Sequence, residues 1–239
     1  MQQCFVEFVC QLNQEIELNL QQSHHLASVL RMRNGEVVRI VDSSKQVFLA
    51  KITSCFNLVR VLCVEQVLDH SERQVPVTLL IGLIKKEKWD FCLQKSTELG
   101  VSRIIPFESM RTVVKKNEEK SNRKRERWQK IVTEAAQQCK RCQIPIVEET
   151  ISLKQAALYK SAINLVAYEG AGSDSHRLRE VCDQTQSITI VIGPEGGFDS
   201  SEIEFLQDFG FQCITLGGRI LRAETAALYA LSAIDALIE

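Results

Sequence analysis

Ile188-Thr-Ile-Val-Ile192 runs without a charged break into Gly193-Pro-Glu-Gly-Gly197, and Phe198-Asp-Ser-Ser-Glu202 follows at once. Such a run of apolar and β-branched residues describes a strand buried on both faces. Asp199 and Glu202 have capping-box spacing, so a helix opens there. Strand, glycine turn and capped helix constrain the chain to a parallel sheet layered with helices, with a ligand-binding edge at residues 193–197. Glycines in such a turn permit positive φ and let a ligand approach backbone N–H and C=O groups. Taken alone, the pattern is equally a tight strand-to-helix connection.

The same alternation extends upstream and downstream. Residues 75–84 form a near-continuous apolar run, residues 87–99 a helix closed by Gly100, and residues 101–107 a second strand. A long helix spans residues 121–141, where Trp128, Ile131, Val132, Ala135, Ala136 and Cys139 recur at helical spacing. Further strands are expected at 163–168 and 213–216. Continuous apolar strands alternating with helices require a sheet covered on both faces, so the fold class is α/β. The last helix, residues 223–238, carries only Glu224 and Asp235 as charges. It must be buried in the sheet or against a second copy, and a homodimer is the favoured reading.

The first 70 residues differ in kind. Period-two alternation in residues 36–41, 47–52 and 58–64, with turn signals at Asn34-Gly35 and Asp42-Ser-Ser44, predicts short antiparallel strands. A helix over residues 23–32 interrupts them, with Leu26, Val29 and Leu30 on one side. A compact β-barrel is the simplest architecture, because closure hides strand edges. Around Asp69-His-Ser-Glu-Arg-Gln74 the chain turns polar, which divides it into a small barrel, residues 1–70, and an α/β domain, residues 71–239.

With 45% hydrophobic and 25% charged residues, the composition is that of a soluble globular protein, and no apolar run reaches the roughly 18 residues of a membrane span. The N-terminus lacks the basic start and apolar core of a secretory signal, and the nine cysteines are scattered and odd in number. They read as small buried apolar residues, and the expected location is cytoplasmic. A net charge of −1 argues against a chain coated in positive charge, yet residues 111–141 hold eleven Lys or Arg against four Glu. Such a segment either binds a polyanion locally or is a solvated helix face.

A second glycine turn follows the next strand: Leu216-Gly-Gly-Arg-Ile-Leu-Arg-Ala-Glu-Thr-Ala226. Two such turns after consecutive strands lie near one another at the carboxyl edge, which favours one shared pocket. Glu195, Arg219, Arg222 and Glu224 sit within them, though Glu224 and Thr225 also suit the macrodipole of the final helix. Neither turn is G-x-G-x-x-G or a P-loop, so a standard dinucleotide site and a P-loop site lack their warrant. Cys139-Lys-Arg-Cys142 has C-x-x-C spacing, but no second pair completes a ligand set and it falls in the predicted helix, so no metal is expected. Adjacent His24 and His25 would point in different directions, which fits surface histidines.

The pair Ile192-Gly-Pro-Glu-Gly-Gly197 and Leu216-Gly-Gly-Arg-Ile-Leu-Arg-Ala-Glu-Thr-Ala226 resembles the SPOUT superfamily, specifically the 16S ribosomal RNA uridine-N3 methyltransferases. His25-Leu-Ala-Ser-Val-Leu-Arg31 with Gly35-Glu36, Gln94-Lys-Ser-Thr-Glu-Leu-Gly100, Ser109-Met-Arg111, and Glu134-Ala-Ala-Gln-Gln-Cys-Lys-Arg141 before Pro145 are similar to that family, in order, over nearly the whole chain. The resemblance implies a PUA-like N-terminal barrel, a C-terminal α/β domain tied in a deep trefoil knot, and a homodimer with S-adenosylmethionine held in the knot. Topology alone predicts against a knot, because threaded chains are almost absent from folded proteins. The implied substrate is one uridine in the decoding region of 16S ribosomal RNA, presented in the assembled small subunit.

Carried over by position, the cofactor contacts are Ala167, Tyr168 and Glu169, then Ile192, Gly193, Pro194, Gly196 and Gly197. A third group is Leu216, Gly217, Ile220, Leu221, Glu224, Thr225 and Ala226. Arg222 is the expected stabiliser of negative charge on uracil, and Glu195 either orients Arg222 or accepts the N3 proton. RNA contacts are expected from Arg31 and Arg33 on the barrel and from Arg111, Lys115, Lys116, Arg123, Lys124, Arg125 and Arg141. One departure is visible: the family commonly carries an Arg near its extreme N-terminus, and Met1-Gln-Gln-Cys-Phe5 has none. Two other readings stay open, methylation at another RNA position and a ribosome-assembly factor that binds RNA with little turnover.

Overall fold

The computed structural model describes residues 1–111, 121–170, 176–182 and 185–238. The chain folds as two compact units, one from Met1–Glu72 and Ala136–Gln143, the other from Arg73–Ala135 and Ile144–Glu239.

In the first unit, β1 (Gln3–Phe5), β2 (Glu15–Glu17), β3 (Val37–Val41), β4 (Val47–Ser54) and β5 (Arg60–Val67) form one sheet in the order β1-β3-β4-β5-β2. β1 runs parallel to β3, and the other pairs are antiparallel. The strands expected to close as a barrel are arranged with β1 and β2 at the two ends of this order. Alternation sorts their side chains: Val38, Ile40, Phe48, Ala50, Ile52, Val61 and Cys63 share one core, while Val37, Lys51 and Val64 are exposed. The helix begins earlier than its hydrophobic spacing suggests. Asn19 caps α1 (Leu20–Ser23) in a capping box with Gln22, and the chain continues as a π-helix, His24–Val29, with both histidines exposed.

The segment Ala136–Gln143 is fastened within this unit by an ion pair and by hydrogen bonds. Arg141, which charge counting assigns to RNA, is 4% exposed. Its Nη2 donates to Glu72 Oε2 at 2.8 Å and its Nε to Oε1 at 3.2 Å. Arg141 is therefore a structural residue, a correction to its predicted place on a basic surface. Arg39 donates to Gln3 Oε1 at 2.7 Å and pairs with Asp69, while Gln3 Nε2 donates to the Arg141 carbonyl at 2.8 Å. A buried guanidinium is tolerated only when its donors find such partners. Burial alone would raise the Asp69 carboxyl, but hydrogen bonds from Cys142, Ser71 and Arg39 hold it well below the usual carboxylate range. Cys139 and Cys142 lie beyond the end of the long helix rather than inside it, at a turn where Lys140 has a φ of 67°.

The second unit follows the predicted alternation. Its elements begin with β6 (Val77–Gly82), α2 (Lys86–Glu98), β7 (Arg103–Glu108), α3 (Ser121–Gln138), β8 (Ile146–Val147), β9 (Ile151–Ser152) and a 3-10 helix (Leu153–Tyr159). They continue with β10 (Ile163–Ala167), β11 (His176–Arg177), α4 (Leu178–Val181), β12 (Ile188–Ile192), α5 (Ser200–Asp208), β13 (Gln212–Thr215) and α6 (Ala223–Ile238). Among the described residues the sheet order is β11-β13-β10-β12-β6-β7-β8, with β9 also beside β7 and every pair parallel.

Successive residues of the central strands enter opposite cores, as period two demands. Leu79, Ile81, Leu165, Ile190 and Ile192 pack with α2 and α6, while Leu80, Val166 and Val191 pack with Ile203 and Leu206 of α5. The near-uniform apolarity of α6 is answered on one side, where Ala227, Ala230, Leu231 and Ile234 are fully buried. Tyr229 on its other side is 48% exposed. No helix among the described residues is long and apolar enough to cross a membrane.

Candidate active site

Parallel register brings four strand ends level. Ala167 of β10 pairs with Ile192 of β12 and with Ile214 of β13, and Ile192 pairs with Ile81 of β6. The loops that follow these strands therefore start side by side, and they enclose a cavity of about 450 Å3. The loop after β10 supplies Ala167, Tyr168 and Glu169; the loop after β12 supplies Ile192, Gly193, Pro194, Glu195 and Gly197. From the loop after β13 come Leu216, Gly217, Arg219, Ile220, Leu221 and Arg222, with Ala226 on the first turns of α6. The two glycine turns read from the sequence thus line one cavity, and Gly197 and Gly217 adopt φ of 69° and 110°.

Three expected cofactor contacts stand apart from the lining. A Cβ on Gly196 would lie 2.9 Å from the Arg111 carbonyl oxygen, so this glycine admits a neighbouring backbone rather than a ligand. Glu224 and Thr225 lie in the first turn of α6 outside the lining set.

Sequence reasoning missed the fourth loop. Lys85 occupies the N-cap position of α2 without a side-chain capping bond, Lys88 lies in its first turn, and both line the cavity. Lys88 Nζ donates to Glu195 Oε1 at 2.6 Å and stands 3.6 Å from Glu224 Oε1. Among the described residues the side-chain partner of Glu195 is Lys88. The hydrogen bond to Glu195 raises the Lys88 ammonium above the usual lysine range; the charges of Glu224 and Glu195 add to this, and Arg222 opposes it. Glu224 Oε2 is buried with no hydrogen-bond partner among the described residues. The exposed Arg222 has no ion-pair or hydrogen-bond partner for its guanidinium among them either. No local pattern signals Lys88, because it sits in an ordinary amphipathic helix more than 100 residues from its partner.

The description "RNA methyltransferase domain" matches residues 71–235, and "RNA methyltransferase PUA domain" matches residues 18–54. The ribosomal RNA small subunit methyltransferase E of Bacillus subtilis is 36% identical over 98% of this chain and 96% of its own length. That of Mesomycoplasma hyopneumoniae is 33% identical over 89% of this chain and 94% of its own. A crystal structure of the Neisseria gonorrhoeae protein of the same name, bound to S-adenosyl methionine, superposes with a TM-score of 0.91 at 28% identity, covering 99% of this chain and 98% of that one. The chain belongs to the ribosomal RNA small subunit methyltransferase E family.

As a methyltransferase of this family, the chain carries a PUA domain at its N-terminus and, later in the sequence, a parallel-sheet α/β unit. Its basic residues are unevenly available. Arg111 pairs with Asp199 at 3.1 Å and Arg125 with Glu149 at 3.3 Å. Arg127, in the same segment, is tied to Asp90. Arg123 and Lys124 on α3, and Arg31 and Arg33 in the N-terminal unit, have no side-chain partner among the described residues. Lys115 and Lys116 lie outside the described residues. No group of three His, Cys, Asp or Glu among the described residues is placed to hold a metal ion.

Proposed function

We propose that this chain transfers the methyl group of S-adenosylmethionine to N3 of one uridine in the decoding region of 16S ribosomal RNA, acting on the assembled small subunit in the cytoplasm. The observation that carries this reading is the cavity at the carboxyl edge of the sheet, built from both glycine turns. Its volume lies within the range of roughly 300 to 1,000 Å3 found for small-molecule sites. Leu216, Ile220 and Leu221 give it apolar walls for an adenosine, and loop backbone can read the base edge. Glu169 of the lining offers a carboxylate for polar groups of the cosubstrate. The residues present therefore fit S-adenosylmethionine, which when bound supplies an electrophilic methyl on a sulfonium.

N3 of uracil is an imide nitrogen, and its proton must leave as negative charge spreads onto O2 and O4. Arg222, which lines the cavity and has no side-chain partner among the described residues, is assigned to stabilise that charge and orient the base. Glu195 is assigned to accept the proton, with Lys88 fixing its carboxylate. The remaining contribution is positioning.

The domain roles belong to the same proposal: residues 1–70 as a PUA-like barrel that engages RNA, and residues 71–239 as the catalytic domain, tied in a deep trefoil knot. The knot is supported by the family resemblance and by the strand order, in which β13 returns to the far side of β10 after β12. A homodimer is supported by the exposed Tyr229 on α6 and Phe91 on α2, 48% and 47% exposed on helices that pack together.

The experiment is methyl transfer from labelled S-adenosylmethionine to small subunits lacking the modification, followed by nucleoside analysis. Recovery of 3-methyluridine from one position is the expected result. Label in another nucleoside would replace the substrate reading, and cofactor binding without transfer would favour an assembly factor.

A further inference from the structure

Phe56 is 82% exposed on the turn between β4 and β5. Single exposed apolar side chains are common on soluble proteins; Phe56 is distinguished by its neighbours. Cys55 Sγ donates to the Met32 carbonyl at 3.5 Å, the Gly35 N–H to the Ile52 carbonyl at 2.8 Å, and the Ile52 N–H to the Glu36 carbonyl at 2.8 Å. The turn therefore lies against the loop of residues 30–36. Phe56 follows Cys55, and Arg31 and Arg33 flank Met32. Consecutive Cα atoms are about 3.8 Å apart, so the ring and both guanidiniums sit within side-chain reach of one surface patch.

Both arginines are exposed, and among the described residues neither has a hydrogen-bond or ion-pair partner for its guanidinium. Glu36, in the same loop, turns its carboxylate back to the Arg33 backbone N–H. The loops are held in an unusual shape. Asn57 has a φ of 60°, as Asn readily adopts in turns, and Arg31 has a φ of 55°, a left-handed value that a long side chain adopts mainly where its surroundings enforce it. The enforcing contacts here are the π-helical bond from the Leu30 N–H to the His25 carbonyl and the bond from the Met32 N–H to the Leu26 carbonyl, each 2.9 Å. An aromatic face and two cations without a partner among the described residues are thus presented together.

We infer that Phe56, Arg31 and Arg33 form a binding site for an unpaired stretch of RNA, with one base stacked on the Phe56 ring and the neighbouring phosphates held by the two guanidiniums. In a duplex the base faces are covered by their neighbours, whereas an unstacked base offers its π-face to any aromatic ring, and the phosphates need only cations. This inference rests on the proposed RNA substrate. It adds a ring that no charge pattern or glycine turn signals.

The test uses the full chain with a short single-stranded RNA and, separately, the same sequence as a duplex. Phe56→Ala is expected to weaken single-strand binding about tenfold and leave duplex binding unchanged. Phe56→Trp is expected to restore it, with RNA quenching an exposed indole that is distinguishable from Trp89 and Trp128, 2% and 7% exposed. Arg31→Ala and Arg33→Ala should each lower the salt dependence of binding by about one released counterion. Melting temperatures should not move, because Phe56 is in solvent. Single-strand binding by Phe56→Ala at the wild-type level, with methyl transfer intact, would overturn this site and spare the methyltransferase reading. A wild-type chain that transfers no methyl to RNA would overturn that reading and this site with it.

Discussion

Arg141 and Arg222 are both arginines beside turns, yet the fold treats them in opposite ways. Arg141 is 4% exposed and chelates Glu72 through two nitrogens. Arg222 lines an open cavity with no internal partner among the described residues. A guanidinium is always charged, so the difference lies wholly in what the fold supplies around it. In the N-terminal unit both oxygens of the Glu72 carboxylate accept from the cation, whereas at the carboxyl edge of the parallel sheet the Glu195 carboxylate is taken by Lys88. Occupying Glu195 with a lysine leaves Arg222 available for a ligand.

The sharpest way to break this contrast is Arg222→Ala. It should lower kcat by about 10² to 10³ with the melting temperature unchanged, since loss of an aligned donor to developing charge has that magnitude. A rate near wild type would remove Arg222 from the chemistry. Arg141→Ala should do the reverse, costing about 2 kcal/mol of stability by chemical denaturation while the surviving folded fraction keeps its cofactor affinity. The figure is set below the usual buried-pair loss because the Glu72 side chain is still 18% exposed.

Lys88→Met should give roughly a tenfold loss of kcat, the scale of one charge-assisted hydrogen bond. Lys88→Arg should recover part of it. Because Lys88 is raised above its ordinary value, its charge and its hold on Glu195 are complete below about pH 10 and are lost only as pH rises beyond the raised value. An alkaline fall in activity that begins near pH 8 and vanishes in Lys88→Met would contradict this.

Asp69 carries the opposite sign. Its lowered value means that its contribution to stability is present above about pH 4 and is lost as pH falls toward the folded value. Asp69→Asn should cost on the order of 1 kcal/mol at neutral pH and flatten the acid limb of a stability profile. The smallest effect is expected for Arg123→Ala or Lys124→Ala: a few-fold weaker RNA binding and a shallower salt dependence, with no change in catalysis at saturating RNA.

The parallel sheet was legible because its strands are continuous apolar runs, and β12 and α6 were read with the bounds they have. The two glycine turns were legible as one pocket because strands that neighbour in a parallel sheet deliver their loops to one edge. Lys88 was not, since only the parallel register sets a helix from the β6 loop opposite the β12 loop, and nothing local encodes that. Charge counting misjudged Arg141 for a related reason. A run of cations reports net charge, while the acids that neutralise it, Glu72, Asp90, Glu149 and Asp199, come from elsewhere in the chain. The π-helix escaped too, because over six residues its wider turn is too short to register as a distinct apolar spacing.

The measurement that bears most directly on the central claim is a calorimetric titration of S-adenosylmethionine into the full chain, with Arg222→Ala alongside. The expected result is one molecule per chain, a negative heat-capacity change from burying adenosine against Leu216, Ile220 and Leu221, and the same affinity in the variant. A folded chain that shows no saturable binding, or a variant that loses binding outright, would contradict the assignment of the cavity to the cofactor and of Arg222 to the RNA base.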